Sequence, residues 1–170
     1  KEIITEGVNL ARKAAGEKYV ALDIGPIGQL LEPYGTLSFE NAYSLFAEQI
    51  KIGAGAGADL ILIETMSDLH EAKAAILAAK ENSSLPVICT MTFQSDGRTL
   101  TGTDVITMVN VLQGLNIDAV GINCSLGPKE TLPLVNLLLQ YSKIPVIVQP
   151  NAGLPKVHLG ETIFSVSADE

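Results

Sequence analysis

Basic residues are scarce in this sequence. Eleven lysines and arginines stand against nineteen aspartates and glutamates, a net charge of −8. That balance argues against a phosphate-backbone ligand, and nucleic acid is set aside as a partner. Cysteine is scarcer still. Two thiols in 170 residues do not make a disulfide framework, and in a reducing compartment they read as core thiols or metal ligands. Long apolar runs are missing too, since none approaches the roughly 18 to 20 residues that span a bilayer. The stretch from Lys1 to Lys18 mixes Glu2 and Glu6 among its basic residues and has no apolar centre followed by a small-residue cleavage site. It does not read as a secretory signal, so a cytoplasmic setting without membrane contact is the expectation. What remains, 47% hydrophobic and 18% charged residues, describes a globular domain with a substantial core.

The apolar residues are arranged as alternating helices and strands. Ile3, Ile4, Val8, Leu10, Ala11, Ala14 and Ala15 predict a helix ended by Gly16. Tyr19–Ile24 predicts a strand ending in Gly25-Pro26, followed by a turn-rich loop from Gly28 to Gly35. Ser38 suits the N-cap of a helix faced by Ala42, Leu45, Phe46 and Ile50 and ended by Gly53, Gly55 and Gly57. Ala58–Glu64 is a nearly continuous apolar strand that stops at a carboxylate, and Asp68 with Glu71 predicts a capping pair for the next helix. Leu85–Phe93 is the third strand, and Thr103 is the expected cap of a helix carrying Val105, Met108, Val109 and Leu112. Ile117–Asn123 is the fourth, followed by a helix with Pro128 in its first turn and a stripe of Leu132, Val135, Leu138 and Leu139. Ile144–Gln149 is the last clear strand. Beyond it only turns and a short extended piece around Thr162–Val166 are expected.

Strand, loop and helix thus recur at intervals of about 30 residues, with no linker between them. Each strand ends in polar or glycine-rich residues. This polarity belongs to a (β/α)8 barrel or to an open doubly wound sheet, in both of which ligands bind at the carboxyl ends of the strands. A closed barrel takes roughly 200 residues or more, so the expectation is either an incomplete barrel or an open sheet.

Chemistry is therefore sought at the strand ends. Cys124, after Ala119-Val120-Gly121-Ile122-Asn123, reads as a core thiol, a metal ligand or a nucleophile. The last is disfavoured because the two histidines, His70 and His158, lie in a helix and a tail. Cys89 sits mid-strand and reads as core. A carboxylate after an apolar strand needs a partner, so Glu64 is either salt-bridged or placed to receive a cationic group such as an ammonium. Asn151 either orders the turn before Gly153 or offers its oxygen to a ligand. The Gly25-Pro26-Ile27-Gly28 loop lacks the glycine pattern of a dinucleotide fingerprint.

Five ordered motifs carry a resemblance. Glu64-Thr65-Met66-Ser67-Asp68, Thr90-Met91-Thr92-Phe93, Gly97-Arg98-Thr99-Leu100-Thr101-Gly102-Thr103, Gly121-Ile122-Asn123-Cys124-Ser125-Leu126-Gly127-Pro128 and Gln149-Pro150-Asn151-Ala152-Gly153 resemble the homocysteine S-methyltransferase family. They are most like the homocysteine-binding domain of its cobalamin-dependent methionine synthase type. The resemblance implies that residues 1–170 form a partial homocysteine-binding (β/α)8 TIM barrel of about five βα units, lacking the first strands and the last strand.

It also implies a function and a site. The activity is zinc-dependent transfer of a methyl group to the thiol of homocysteine, giving methionine, with methylcobalamin as donor and S-methylmethionine or betaine as alternatives. The donor is brought by a methyl-donor domain or corrinoid partner. Cys124 takes the place of one of three zinc cysteines and Asn151 that of an oxygen ligand in the fourth position. Glu64 binds the homocysteine ammonium, with help from groups near Asn123 and Ser125. The other two cysteines of the family, an adjacent pair in a glycine-rich segment, have no counterpart in this sequence. The 170 residues alone are therefore expected to be inactive and to bind zinc weakly. A non-catalytic α/β module that binds a small molecule or a partner at the strand ends is the alternative, followed by a barrel enzyme using Glu64 as a general base.

Overall fold

The computed structural model describes residues 1–124, 126–153, 155–164 and 166–167, with Lys156 described by its backbone alone. Helix α1 (Glu2–Ala15) leads into β1 (Ala21–Ile24), α2 (Phe39–Gly55), β2 (Leu60–Met66), α3 (Leu69–Asn82), β3 (Val87–Met91), α4 (Val105–Gly114), β4 (Ala119–Asn123), α5 (Pro128–Tyr141) and β5 (Val146–Gln149). A hairpin of β6 (Pro155–His158) and β7 (Glu161–Phe164) follows.

The five strands form one parallel sheet in the order β1-β2-β3-β4-β5. A doubly wound sheet reverses its strand order at a switch point; this one does not. Neighbours in sequence are neighbours in space throughout, and right-handed crossovers then place every helix on the same face. That is a sector of a (β/α)8 barrel, open at β1 and β5 among the described residues.

The two faces of the sheet differ as this arrangement requires. Leu22, Ile24, Ile61, Ile63, Val87, Cys89, Met91, Val120 and Ile122 are buried against the helices. On the opposite face Leu60, Leu62 and Ile88 are half-exposed and Asp23 is exposed. Register aligns Thr90 of β3 with Gly121 of β4 and Ile147 of β5, and Asn123 with Gln149. Gly121 has a local reason: a Cβ there would collide with the Ile147 carbonyl oxygen. Only glycine lets β4 and β5 approach so closely.

At their amino ends the strands are tied down by aspartates. Asp59 accepts from the Val20 backbone N–H at 2.6 Å and from the Arg12 guanidinium at 2.6 Å. Asp118 accepts from the Val87 N–H at 2.8 Å and pairs with Lys80 at 3.3 Å. Both carboxyls are held below the ordinary aspartate value, first by the backbone hydrogen bond.

Several expectations from sequence are corrected in detail. Helix α2 runs through Gly53 to Gly55; a Cβ at Gly53 would collide with the Leu22 side chain, so that glycine seats the helix on β1 rather than ending it. Asp68 caps α3 through the His70 N–H at 2.9 Å, while Glu71 turns away to accept from Ile27 N–H at 2.7 Å. Asp104, not Thr103, caps α4 by accepting from Thr107 N–H. On α5 the inward stripe is Thr131, Leu134, Val135 and Leu138, whereas Leu132 and Leu139 are exposed. The helix carries leucines around most of its girth, which makes the buried face ambiguous in sequence. The hairpin escapes a sequence reading because its turn is Leu159-Gly160, both with positive φ, instead of the usual Asn-Gly or Asp-Gly.

Candidate functional site

The carboxyl ends of β2, β3 and β4 are joined by one side chain. Asn123, the last residue of β4, is 2% exposed. Its Oδ1 accepts from the Thr65 backbone N–H at 3.0 Å and from the Thr90 hydroxyl at 2.9 Å. Its Nδ2 donates to Thr65 Oγ1 at 2.8 Å and to Glu64 Oε2 at 3.4 Å.

Thr65 explains why this bracket is needed. Strand β2 does not stop at Glu64 but continues through an irregularity between Ile63 and Met66, and within it Thr65 adopts φ 60°. The left-handed region costs a β-branched residue about 1–2 kcal/mol. Bulges of this kind re-aim neighbouring side chains, and here the residue before it is Glu64.

Glu64 is half-buried. Burial raises its carboxyl above the ordinary glutamate value, and the charge of Asp23, next to last in β1, raises it further. Asp23 is itself raised by desolvation. Two carboxylates at adjacent strand ends, with no described salt bridge to either, make this part of the rim a place for a cationic group.

Cys124 follows Asn123 directly. Its φ is 50°, its backbone N–H donates to the Gln149 carbonyl at 3.2 Å, and the Thr92 hydroxyl donates to its carbonyl at 3.3 Å. The backbone is thus held between the ends of β3 and β5, while the thiol is exposed. Asn151 is brought to the same turn: its N–H donates to the Leu126 carbonyl at 3.0 Å, and the residue is half-exposed. Ser125, the remaining residue singled out from sequence for substrate, lies outside the described residues.

Cys89 is the other thiol and is fully buried on the helix-facing side of β3, its pKa pushed up to about 12 by burial. It is core. Tetrahedral zinc takes three or four nitrogen, sulfur or carboxylate ligands, and among the described residues no three His, Cys, Asp or Glu side chains converge. By themselves these residues do not fit a zinc ion; at the rim they supply one thiol, with the Asn151 amide nearby in the chain's path.

Sequence reasoning missed Asp23, Thr65 and Thr90 as parts of the site. Asp23 carries a weaker form of the signal at Glu64, a carboxylate one residue before the end of a short apolar strand. Thr90 sits at an alternating position opposite Gly121, which marks its face but not its partner. Nothing in the sequence marks Thr65, because its role rests on a backbone conformation.

Comparisons with known proteins agree with this geometry. The sequence model of the family described as homocysteine S-methyltransferase matches residues 1–170. The chain is 30% identical to a methionine synthase of Mycobacterium tuberculosis and 29% identical to one of Mycobacterium leprae, over 182 aligned positions that cover 100% of this chain and 15% of each relative. It spans only that share of those proteins. Among solved structures, the homocysteine methyltransferase MmuM of Escherichia coli in its metallated form superposes with a TM-score of 0.77 at 25% identity, over 89% of this chain and 58% of that one. Motifs, strand order and a match along all 170 residues coincide: the chain belongs to the homocysteine S-methyltransferase family.

Proposed function

We propose that these 170 residues form the part of a homocysteine S-methyltransferase barrel that binds the amino end of homocysteine and presents one ligand for its thiol. The observation that carries this reading is Glu64, a half-buried carboxylate paired with Asn123 at the same strand ends as the exposed Cys124 thiol. Glu64 and Asp23 attract the ammonium of the amino acid. A carboxylate whose pKa is raised by burial regains favourable energy when a cation arrives, so the site discriminates for an amine over a neutral group.

The thiol end depends on a group this chain only partly provides. Bound zinc lowers the pKa of a thiol, holding it as the thiolate that attacks a methyl group. In this reading Cys124 is one of its ligands, Asn151 offers an oxygen when substrate is absent, and further ligands come from outside these residues. What this chain's own residues do is orient the acceptor: Glu64 and Asp23 fix the ammonium, and the Cys124 turn, pinned by Thr92 and Gln149, fixes where the sulfur lies. The donor we propose is methylcobalamin presented by a separate domain.

The test is methionine formation by the complete gene product, supplied with methylcobalamin and homocysteine. Methyl transfer to homocysteine with a clear preference over cysteine is expected. No transfer to homocysteine from methylcobalamin, S-methylmethionine or betaine contradicts the proposal, and transfer only from the latter two corrects the donor.

A further inference from the structure

We infer that Asn123 is a positioning residue for the methyl acceptor: its side chain aims the Glu64 carboxylate by locking the left-handed Thr65, and does not itself touch substrate. The inference rests on the reading of Glu64 as the ammonium site and adds the device that sets its direction.

A carboxamide has two donor hydrogens and one oxygen with two lone pairs. The four described side-chain bonds of Asn123, to Thr65 N, Thr90 Oγ1, Thr65 Oγ1 and Glu64 Oε2, already engage both its oxygen and its NH2 group. With 2% of its surface exposed, the side chain has neither a free polar atom nor a free face for a ligand. Both polar groups of Thr65 that Asn123 engages belong to the one residue of β2 with positive φ. Without that clamp, Thr65 relaxes toward an ordinary extended conformation, and a flip there moves the side chain of the residue before it. The Nδ2 contact to Glu64 acts at the same point from the other side, limiting the carboxylate to one rotamer. The Thr65 N–H, which can only donate, and the Glu64 carboxylate set the amide so that its NH2 faces Glu64, and the hydroxyl of Thr90, fully buried on β3, anchors the amide oxygen in that position. The chain of effect runs from Thr90 through Asn123 to Thr65 and Glu64, and it ends at the ammonium end of the substrate. It therefore acts on acceptor binding, leaving the methyl-transfer step itself unchanged.

A double-mutant cycle in the complete gene product tests this with homocysteine as the varied substrate. Glu64→Gln and Asn123→Ala are each expected to raise KM about tenfold with kcat within about twofold. The double variant is expected to match Glu64→Gln alone within about twofold, because Asn123 has nothing left to aim. Thr90→Val, which preserves volume and removes the hydrogen bond to Asn123 Oδ1 without removing any described hydrogen bond to Glu64, provides the same cycle should Asn123→Ala fail to fold. It is expected to raise KM about threefold in the native background and not at all beside Glu64→Gln. A merely structural role would lower stability equally in both backgrounds without this loss of coupling. If Glu64→Gln raises KM while the Asn123 or Thr90 effects multiply with it, the inference is overturned and the ammonium site stands. If Glu64→Gln leaves KM unchanged, the ammonium site itself is overturned and this inference goes with it.

Discussion

The two ends of the parallel sheet use carboxylates in opposite ways. At the amino ends, Asp59 and Asp118 each accept a backbone N–H from the neighbouring strand and pair with a cation, and both are held below their ordinary pKa. At the carboxyl ends, exposed Asp23 and half-buried Glu64 have no cationic partner among the described ion pairs and are raised above theirs, first by partial desolvation and, for Glu64, also by the charge of Asp23. One end uses its charges to hold strands together; the other keeps them at an energetic cost. In a barrel sector this division separates the scaffold from the site, and it points to Asp23 and Glu64 without reference to any relative.

The comparison can be broken most severely at the thiol. Given the proposed role of Cys124 as a zinc ligand, Cys124→Ala is expected to lower methyl transfer by the complete gene product at least ~100-fold, while its melting temperature moves little because the side chain is exposed. A large loss of stability with retained activity would move Cys124 from site to scaffold. Next comes Glu64→Gln, whose expected tenfold rise in KM is about 1.4 kcal/mol of acceptor binding, read from initial rates.

Asp118→Asn sharpens the other side of the comparison. Urea denaturation is expected to register a loss of about 0.5–1 kcal/mol, the scale for a charge-assisted hydrogen bond discounted for exposure, with homocysteine KM unchanged. The smallest effect is in the pH dependence of stability. A depressed carboxyl such as Asp118 contributes stability above its unfolded pKa of about 3.8 that is lost as pH falls through its lower folded value. A raised carboxyl such as Glu64 works the other way: stability present below its unfolded value of about 4.5 is lost as pH rises through the raised folded value. Replacing Glu64 by Gln is thus expected to flatten the decline above pH 4.5, and replacing Asp118 by Asn to flatten the acid limb. Identical curves for the two variants would erase the distinction.

Much of this is legible in the sequence, for identifiable reasons. The five strands of the sheet follow from apolar runs closed by polar residues, a pattern imposed by burying a parallel sheet on the helix side. Ser38 and Pro128 mark helix starts because capping chemistry is local. Glu64 and Cys124 stand out because a charged or reactive group at the end of an apolar strand needs a partner, although residue type alone leaves a salt bridge and a core thiol open and only the ordered motifs around them favour a site. The remainder is tertiary. Asp68 and Glu71 have the spacing of a capping pair, yet Glu71 is drawn off by a loop 44 residues away in sequence, at Ile27. The bracket at Asn123 joins residues 33 to 59 apart, and the conformation it holds at Thr65 has no signature in residue type. The buried stripe of α5 differs from the expected one because the helix has more leucines than positions that face the sheet.

The comparison also divides the site itself. The proposed ammonium side draws Asp23, Glu64 and the Asn123 bracket from the described residues, whereas the proposed sulfur side contributes one thiol. The central claim is therefore tested most directly at the amino group of the acceptor. The measurement is the ratio of kcat/KM for homocysteine to that for its deaminated analogue, 4-sulfanylbutanoate, in the complete gene product and in its Glu64→Gln variant. The account predicts a preference for homocysteine of about tenfold or more that falls to near unity in the variant. A preference of the same size in both proteins would contradict it.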